Sequence, residues 1–230
     1  MQYKPQFTVL RLIDHGVGPR RYILKSPQLR IYTNIAVITL EYSFIPANRH
    51  DTYPAINPAN ADLSGKVVLI TGASRGIGKA LALSIAQSGA HGLVLLARSP
   101  LASLAKACLS ARRLTRPLQV LALQVDIIDN VQVEAAAKKT EETFGRLDVV
   151  INNAGYLDTV KPFAESDPDE WWNVWNVNVR GIYHVTRAFL PLVIKCGGDK
   201  TIISLSSSLA FEPVAGFSSY SVRSISYVLY

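Results

Sequence analysis

A chain of 230 residues with 49% hydrophobic and 18% charged residues can bury a core. This composition excludes a disordered chain and fits one domain with an extension. The formal net charge of +7 is concentrated at the start, because residues 1–50 hold seven basic and two acidic side chains, a balance of +5. The rest holds 17 basic and 15 acidic side chains, so a nucleic-acid-binding face is not expected.

Targeting and redox signals are weak. Ile35–Leu40 is the best apolar run and is too short to cross a bilayer. Cys108 and Cys196 stand in no metal or redox spacing, which predicts isolated core thiols in a reducing compartment and no metal site. We therefore predict a cytoplasmic protein without a membrane span. The arginine-rich, acid-poor beginning leaves a mitochondrial transit peptide as the alternative.

The chain divides into three predicted parts. Residues 1–48 form a basic extension without convincing periodicity, in which Ile31–Phe44 is the one apolar stretch that could form a strand. Residues 49–64 are polar and proline-containing, which is typical of a linker. Residues 65–230 carry the regular pattern and form the main predicted domain.

From Gly65 onward, short apolar runs alternate with helical stretches, which predicts an α/β fold with a doubly wound parallel sheet. The predicted strands are Lys66–Thr71, Gly92–Ala97, Gln119–Val125, Leu147–Asn152 and Thr201–Leu205. All five are rich in Val, Leu and Ile, as expected for strands buried on both faces. The predicted helices are Gly76–Ser88, Pro100–Arg113, Val131–Phe144 and Pro168–Lys195.

A glycine-rich segment follows the first predicted strand and opens the first helix. It reads Thr71-Gly72-Ala73-Ser74-Arg75-Gly76-Ile77-Gly78. Glycines at such a turn let the backbone approach a pyrophosphate, which binds the helix N-terminus. The alternative is a plain strand-to-helix turn, but the strand before it and the helix after it favour dinucleotide binding.

The glycine spacing resembles that of the short-chain dehydrogenase/reductase family, and further motifs follow in the family's order. They are Asp126 after the third strand, Asn152-Asn153-Ala154-Gly155 after the fourth, Asn178 in the long helix, Ser206-Ser207-Ser208 after the fifth, and Tyr220. The resemblance covers residues 66–221 and implies a nicotinamide-binding Rossmann fold. It implies cofactor binding by Gly72, Ser74, Arg75, Gly76, Ile77, Gly78, Arg98, Asp126, Asn153, Ala154, Gly155 and Tyr220, and catalysis by Ser207, Tyr220 and Asn178.

The resemblance also implies the chemistry of these three residues. Tyr220 would exchange a proton with the substrate oxygen, and Ser207 would hold the same oxygen by a hydrogen bond. The family places a lysine four residues after this tyrosine, where its ammonium favours the phenolate. Here Ser224 occupies that position, and Arg223 is a poor substitute because its offset and geometry differ.

The printed sequence ends at Tyr230, before the sixth strand and the substrate-covering region that the family places next. We expect the fold to be incomplete at its C-terminus. The likeness stops abruptly after Ser221, so one hypothesis is that Val222–Tyr230 is translated intron; a truncated paralogue is the alternative. A complete family member could form a homo-oligomer.

The arginines near the turn favour one cofactor. An acidic side chain at the end of the second strand would bind the ribose 2′-hydroxyl of NAD(H), whereas Arg98 there suits the 2′-phosphate of NADP(H), as does Arg75. Two solvated arginines are the alternative, and NAD(H) stays possible. We predict an NADP-dependent oxidoreductase acting on an alcohol or carbonyl compound. The alternative is an inactive truncated member that at most binds nucleotide.

Overall fold

The computed structural model describes residues 56–112, 117–198, 200–207, 209 and 214–221. The predicted extension 1–48, the first half of the predicted linker and the tail from Val222 lie outside these ranges. The second half of the linker contacts the domain, because Leu63 packs against the core and its N–H donates to Ser88 O at 2.9 Å.

Five strands alternate with helices in the described residues. The strands are β1 Val67–Thr71, β2 Gly92–Ala97, β3 Gln119–Gln124, β4 Val149–Asn152 and β5 Thr201–Ser204. The helices are α1 Gly76–Gln87, α2 Ala102–Ala111, α3 Asn130–Phe144, α4 Pro168–Trp175 and α5 Ile182–Lys195. The five predicted strands and the first three predicted helices are confirmed, with boundaries that shift by at most two residues, whereas the fourth predicted helix is divided into α4 and α5.

The strands form one parallel sheet in the order β3-β2-β1-β4-β5. Strand residues point alternately to the two faces, so β1 contributes Val67 and Leu69 to one core and Val68 and Ile70 to the other. Helices α3 and α5 cover the first face, and α1 and α2 cover the second. This is the doubly wound architecture that the alternating pattern predicts.

The prediction that all five strands are buried on both faces is wrong for β3 and β5. These strands lie at the two edges of the described sheet, so each has one hydrogen-bonded neighbour there. Most of β3 is half-buried. In β5, Ile202 and Ile203 stay 38% and 45% exposed. Apolar composition does not distinguish a central strand from an edge strand, because both can be rich in Val, Leu and Ile.

At the amino-terminal ends of the central strands β1 and β4, one buried carboxylate links the two strands. Asp148 accepts from Val67 N–H at 2.9 Å and from two nitrogens of Arg146, with Lys66 Nζ 4.0 Å away. This hydrogen bonding raises the pKa of Arg146. The charged cluster therefore fixes the relative start of the two central strands.

The helical region predicted as Pro168–Lys195 is continuous but not uniform. Asp167 accepts from Asp169 N–H and Glu170 N–H, and so caps α4 as its sequence predicts. Between α4 and α5, Asn176–Gly181 forms a π-helical segment, a conformation often found at functional sites. None of the helices in the described ranges has the length and hydrophobicity needed to span a membrane.

Candidate functional site

Because the sheet is parallel, all the strands end at the same edge, which we call the carboxyl edge. The glycine turn follows β1, Arg98 follows β2, Asp126 lies two residues beyond β3, and Asn153 follows β4. In sheets of this kind the crevice at this edge is where ligands bind. The topology therefore collects most of the predicted cofactor-binding residues on one side of the molecule.

Two glycines of the turn lie too close to their neighbours for a side chain. Gly72 has φ +64°, and a Cβ there would lie 2.7 Å from Ala154 Cα. A Cβ on Gly78 would overlap Gly72 O and lie 2.5 Å from Asn153 Nδ2. These contacts let the end of β1, the start of α1 and the segment after β4 pack without intervening side chains.

Gly76 differs from these two, because its surroundings are open. It has φ +54°, and a Cβ there would meet no atom within 4 Å. It begins α1, whose N-cap residue Arg75 makes no side-chain capping bond. The first N–H groups of a helix lack intrahelical partners and favour an anion. The turn thus fits a pyrophosphate, with Ser74 half-buried and Arg75 and Ile77 exposed beside it.

Thr71 joins the turn to the segment after β4. Its Oγ1 accepts from Asn153 N–H at 3.0 Å and Ala154 N–H at 2.9 Å, while Asn153 Nδ2 donates to Thr71 O at 2.8 Å. Asn153 also donates to Gly72 O at 3.2 Å. Sequence reasoning missed this role of Thr71, for which the only signal was a hydroxyl immediately before the first glycine.

Arg98 and Asp126, both predicted to bind the cofactor, lie beyond β2 and β3. Arg98 is exposed, and its carbonyl accepts from Gln124 Nε2 at 2.8 Å, which links the ends of these strands. Asp126 accepts from Ile128 N–H at 3.2 Å, and its own N–H donates to Gln132 Oε1. Nearby Asp129 caps α3, and the N–H of Gln132 lowers the pKa of its carboxyl.

Asn178 is fully buried in the π-helical segment. Its Oδ1 accepts from Tyr156 N–H at 2.7 Å, and its Nδ2 donates to Tyr156 O at 2.6 Å. A Cβ on Gly155 would lie 3.4 Å from Asn178 Oδ1. The structure therefore brings together Asn178 and the Asn-Asn-Ala-Gly motif, and the asparagine fixes the backbone that leaves β4.

Ser207 and Tyr220 lie C-terminal to β5. Ser207 is half-buried, and its Oγ accepts from Leu209 N–H at 3.3 Å. Tyr220 is half-buried on a helical turn at 218–221. Ser208, Arg223 and Ser224 lie outside the described residues.

The chain resembles proteins of one family. The family model for short chain dehydrogenase matches residues 66–222. Over 181 residues the chain is 44% identical to the short chain dehydrogenase mpl6 of Monascus purpureus, covering 78% of this chain and 62% of mpl6. It is 42% identical over 184 residues to the short chain dehydrogenase tazN of Aspergillus terreus, covering 79% of this chain and 40% of tazN. It thus spans less than two thirds of either relative.

Solved structures share the fold. An Escherichia coli CFT073 protein described as a short chain dehydrogenase, complexed with NADPH, has 31% identity and a TM-score of 0.64, covering 72% of this chain and 68% of that one. Carveol dehydrogenase of Mycobacterium avium in complex with NAD has a TM-score of 0.66, covering 73% and 64%. Its 24% identity extends the likeness to the fold alone.

Proposed function

Because the chain belongs to the short-chain dehydrogenase family, we propose that it binds NADP(H) at the carboxyl edge and transfers a hydride between this cofactor and an alcohol or carbonyl compound. The glycine turn carries the proposal. It combines an uncapped helix N-terminus, an open Gly76 and two glycines whose positions exclude a Cβ. Such a cradle suits a pyrophosphate, whose charge the helix dipole stabilises.

The preference for NADP(H) rests on two arginines. Arg75 and Arg98 are both exposed, at the start of α1 and directly after β2. A guanidinium group can bind the ribose 2′-phosphate through paired charge-assisted hydrogen bonds. An acidic residue at the position of Arg98 would favour NAD(H) instead.

Proton transfer is proposed for the residues after β5. When bound, the cofactor supplies or accepts the hydride. Ser207 Oγ accepts from Leu209 N–H, which leaves its hydroxyl hydrogen to donate to a substrate oxygen. By the family resemblance, Tyr220 exchanges the proton with that oxygen. Asn178 holds the backbone of Tyr156, in the segment that follows β4.

A second candidate function is nucleotide binding without turnover. It is favoured by Ser224, which stands where the family has the lysine that assists the tyrosine. Cofactor binding must therefore be tested independently of catalytic turnover.

Titration of NADPH into the intact chain, with Gly76→Ala and Gly145→Ala as matched variants, tests the site. Both glycines have positive φ and open surroundings, so each substitution should cost about 1–2 kcal/mol of stability. Gly145 follows α3, at its C-cap, whereas a Cβ added at Gly76 would lie where we propose that the pyrophosphate binds. We expect at least about tenfold weaker NADPH binding in Gly76→Ala alone. Equal affinity in both variants would refute the proposed site.

A further inference from the structure

Among the described residues, two hydrogen bonds attach the residues just before Tyr220 to other parts of the domain. Ser219 Oγ donates to Asp158 Oδ1 at 2.8 Å, and both residues are buried. Trp171 Nε1 donates to Ser218 Oγ at 3.1 Å. Asp158 lies between β4 and α4, and Trp171 lies in α4.

The chemistry of the partners fixes the direction of both bonds. A carboxylate can only accept, so the Ser219 hydroxyl must donate to Asp158. An indole N–H can only donate, so the Ser218 hydroxyl must accept from Trp171. Burial of a carboxylate is costly unless it is hydrogen-bonded, so the contact between Asp158 and Ser219 is one that the fold strongly retains.

The two serine contacts constrain the backbone that carries the tyrosine. Residues 218–221 form one helical turn, in which successive side chains are rotated by about 100°. Holding Ser218 and Ser219 in two different directions fixes the rotation of the turn about its axis. The direction of the Cα–Cβ bond of Tyr220 is then set as well.

A third contact limits sliding of the same segment. Gly216 has φ +86°, and a Cβ there would lie 2.8 Å from Val160 Cγ1. The segment is thus in close contact with the loop after β4 two residues before Ser218. That loop includes Tyr156, whose backbone is held by Asn178.

We propose that Asp158 and Trp171 are positioning residues for Tyr220, acting through Ser219 and Ser218. The role assigned to Tyr220 rests on the proposed function, whereas the attachment of its backbone does not. None of these four residues was singled out by motif, because each contact joins segments that are distant in sequence.

Amide hydrogen exchange of the intact chain, without cofactor, tests the attachment. Ser221 N–H donates to Phe217 O at 2.8 Å, so its exchange rate reports whether the turn is formed. We expect Asp158→Ala and Ser219→Ala to accelerate this exchange at least about tenfold, while β1 keeps its protection. Asp158→Asn keeps an acceptor and should restore slow exchange. Glu165→Ala, at an exposed position in the same connection, is the matched control.

The NMR signal of Tyr220 reports the surroundings of its ring, whereas the exchange rate of Ser221 reports only the backbone of the turn. With ¹³C-labelled tyrosine, the Tyr220 resonance is assigned by its loss in Tyr220→Phe. We expect this resonance to shift or split in Asp158→Ala and Trp171→Phe and to return in Asp158→Asn. The proposal would be overturned if Asp158→Ala left the Ser221 exchange rate or the Tyr220 resonance unchanged. It would also be overturned if β1 lost as much protection as Ser221 in that variant. Failure of the wild-type chain to bind NADPH would refute the proposed function without affecting these readings.

Discussion

At the scale of single residues, the hydroxyl of Thr71 is the connection that completes the glycine turn. It accepts from two backbone N–H groups of the Asn-Asn-Ala-Gly motif and is itself buried. Without it, two N–H groups of half-buried residues would lose their partner. The hydroxyl thus supplements the two bonds that Asn153 Nδ2 donates to Thr71 O and Gly72 O.

We therefore predict that Thr71→Val destabilises the domain by about 2–4 kcal/mol, since leaving a buried donor unsatisfied costs roughly 1–3 kcal/mol. Thr71→Ser keeps the hydroxyl and should cost less than half as much. Denaturant unfolding monitored by tryptophan fluorescence measures both variants. Similar losses in the two variants would contradict the dominant role assigned to the hydroxyl.

A second residue-scale prediction concerns the buried thiol Cys108. Desolvation raises its pKa to about 11, so the folded chain keeps this thiol protonated at pH 8. An unfolded chain ionises it near pH 9, so this group's contribution to stability is present below that pH and is lost as the pH rises toward 11. Iodoacetamide at pH 8 should label half-buried Cys196 before Cys108 in the native chain. Preferential labelling of Cys108, detected by peptide mass spectrometry, would contradict the assigned burial.

At the scale of secondary-structure elements, sequence alone could predict the strands and helices because their periodicity is local. It could also place the glycine turn, Arg98, Asp126 and Asn153 at one edge, because parallel strands end together. It could not predict the exposure of Ile202, which depends on which strands lie beside β5. The contact between Asp158 and Ser219 was equally inaccessible, since it joins residues 61 positions apart.

The element-scale prediction is that Asp148 holds the starts of β1 and β4 together. Asp148→Ala leaves Val67 N–H without its buried partner and removes the acceptor of Arg146, so we expect a loss of about 2–4 kcal/mol. Glu134→Ala is the control, because its ion pair with Arg187 is about half exposed and should contribute less than about 1 kcal/mol. Urea unfolding of the two variants gives the comparison. Equal losses would contradict a special role for the buried carboxylate.

At the scale of the whole molecule, turnover requires more than a cofactor site. Because Ser224 replaces the expected lysine, we predict little or no NADPH-dependent carbonyl reduction by the intact chain. If the missing ammonium is the limiting defect, Ser224→Lys should raise the rate by about 10²-fold, the lower range for general acid–base assistance. Ser224→Met, with a comparable stem and no charge, is the matched control. Robust reduction of a carbonyl panel by the unmodified chain would refute this prediction.

Binding of a dinucleotide at the carboxyl edge, with a preference for NADP(H), is the property on which the proposed function depends. Calorimetric titration of the intact chain with NADPH and with NADH, repeated for Arg98→Asp, is the decisive measurement. We predict saturable binding that is at least about tenfold tighter for NADPH, and loss of that preference in Arg98→Asp, because the substitution removes the charge-assisted hydrogen bonds that we propose Arg98 makes to the 2′-phosphate. Absence of binding by both cofactors, tighter binding of NADH, or an unchanged preference in Arg98→Asp would contradict the proposal.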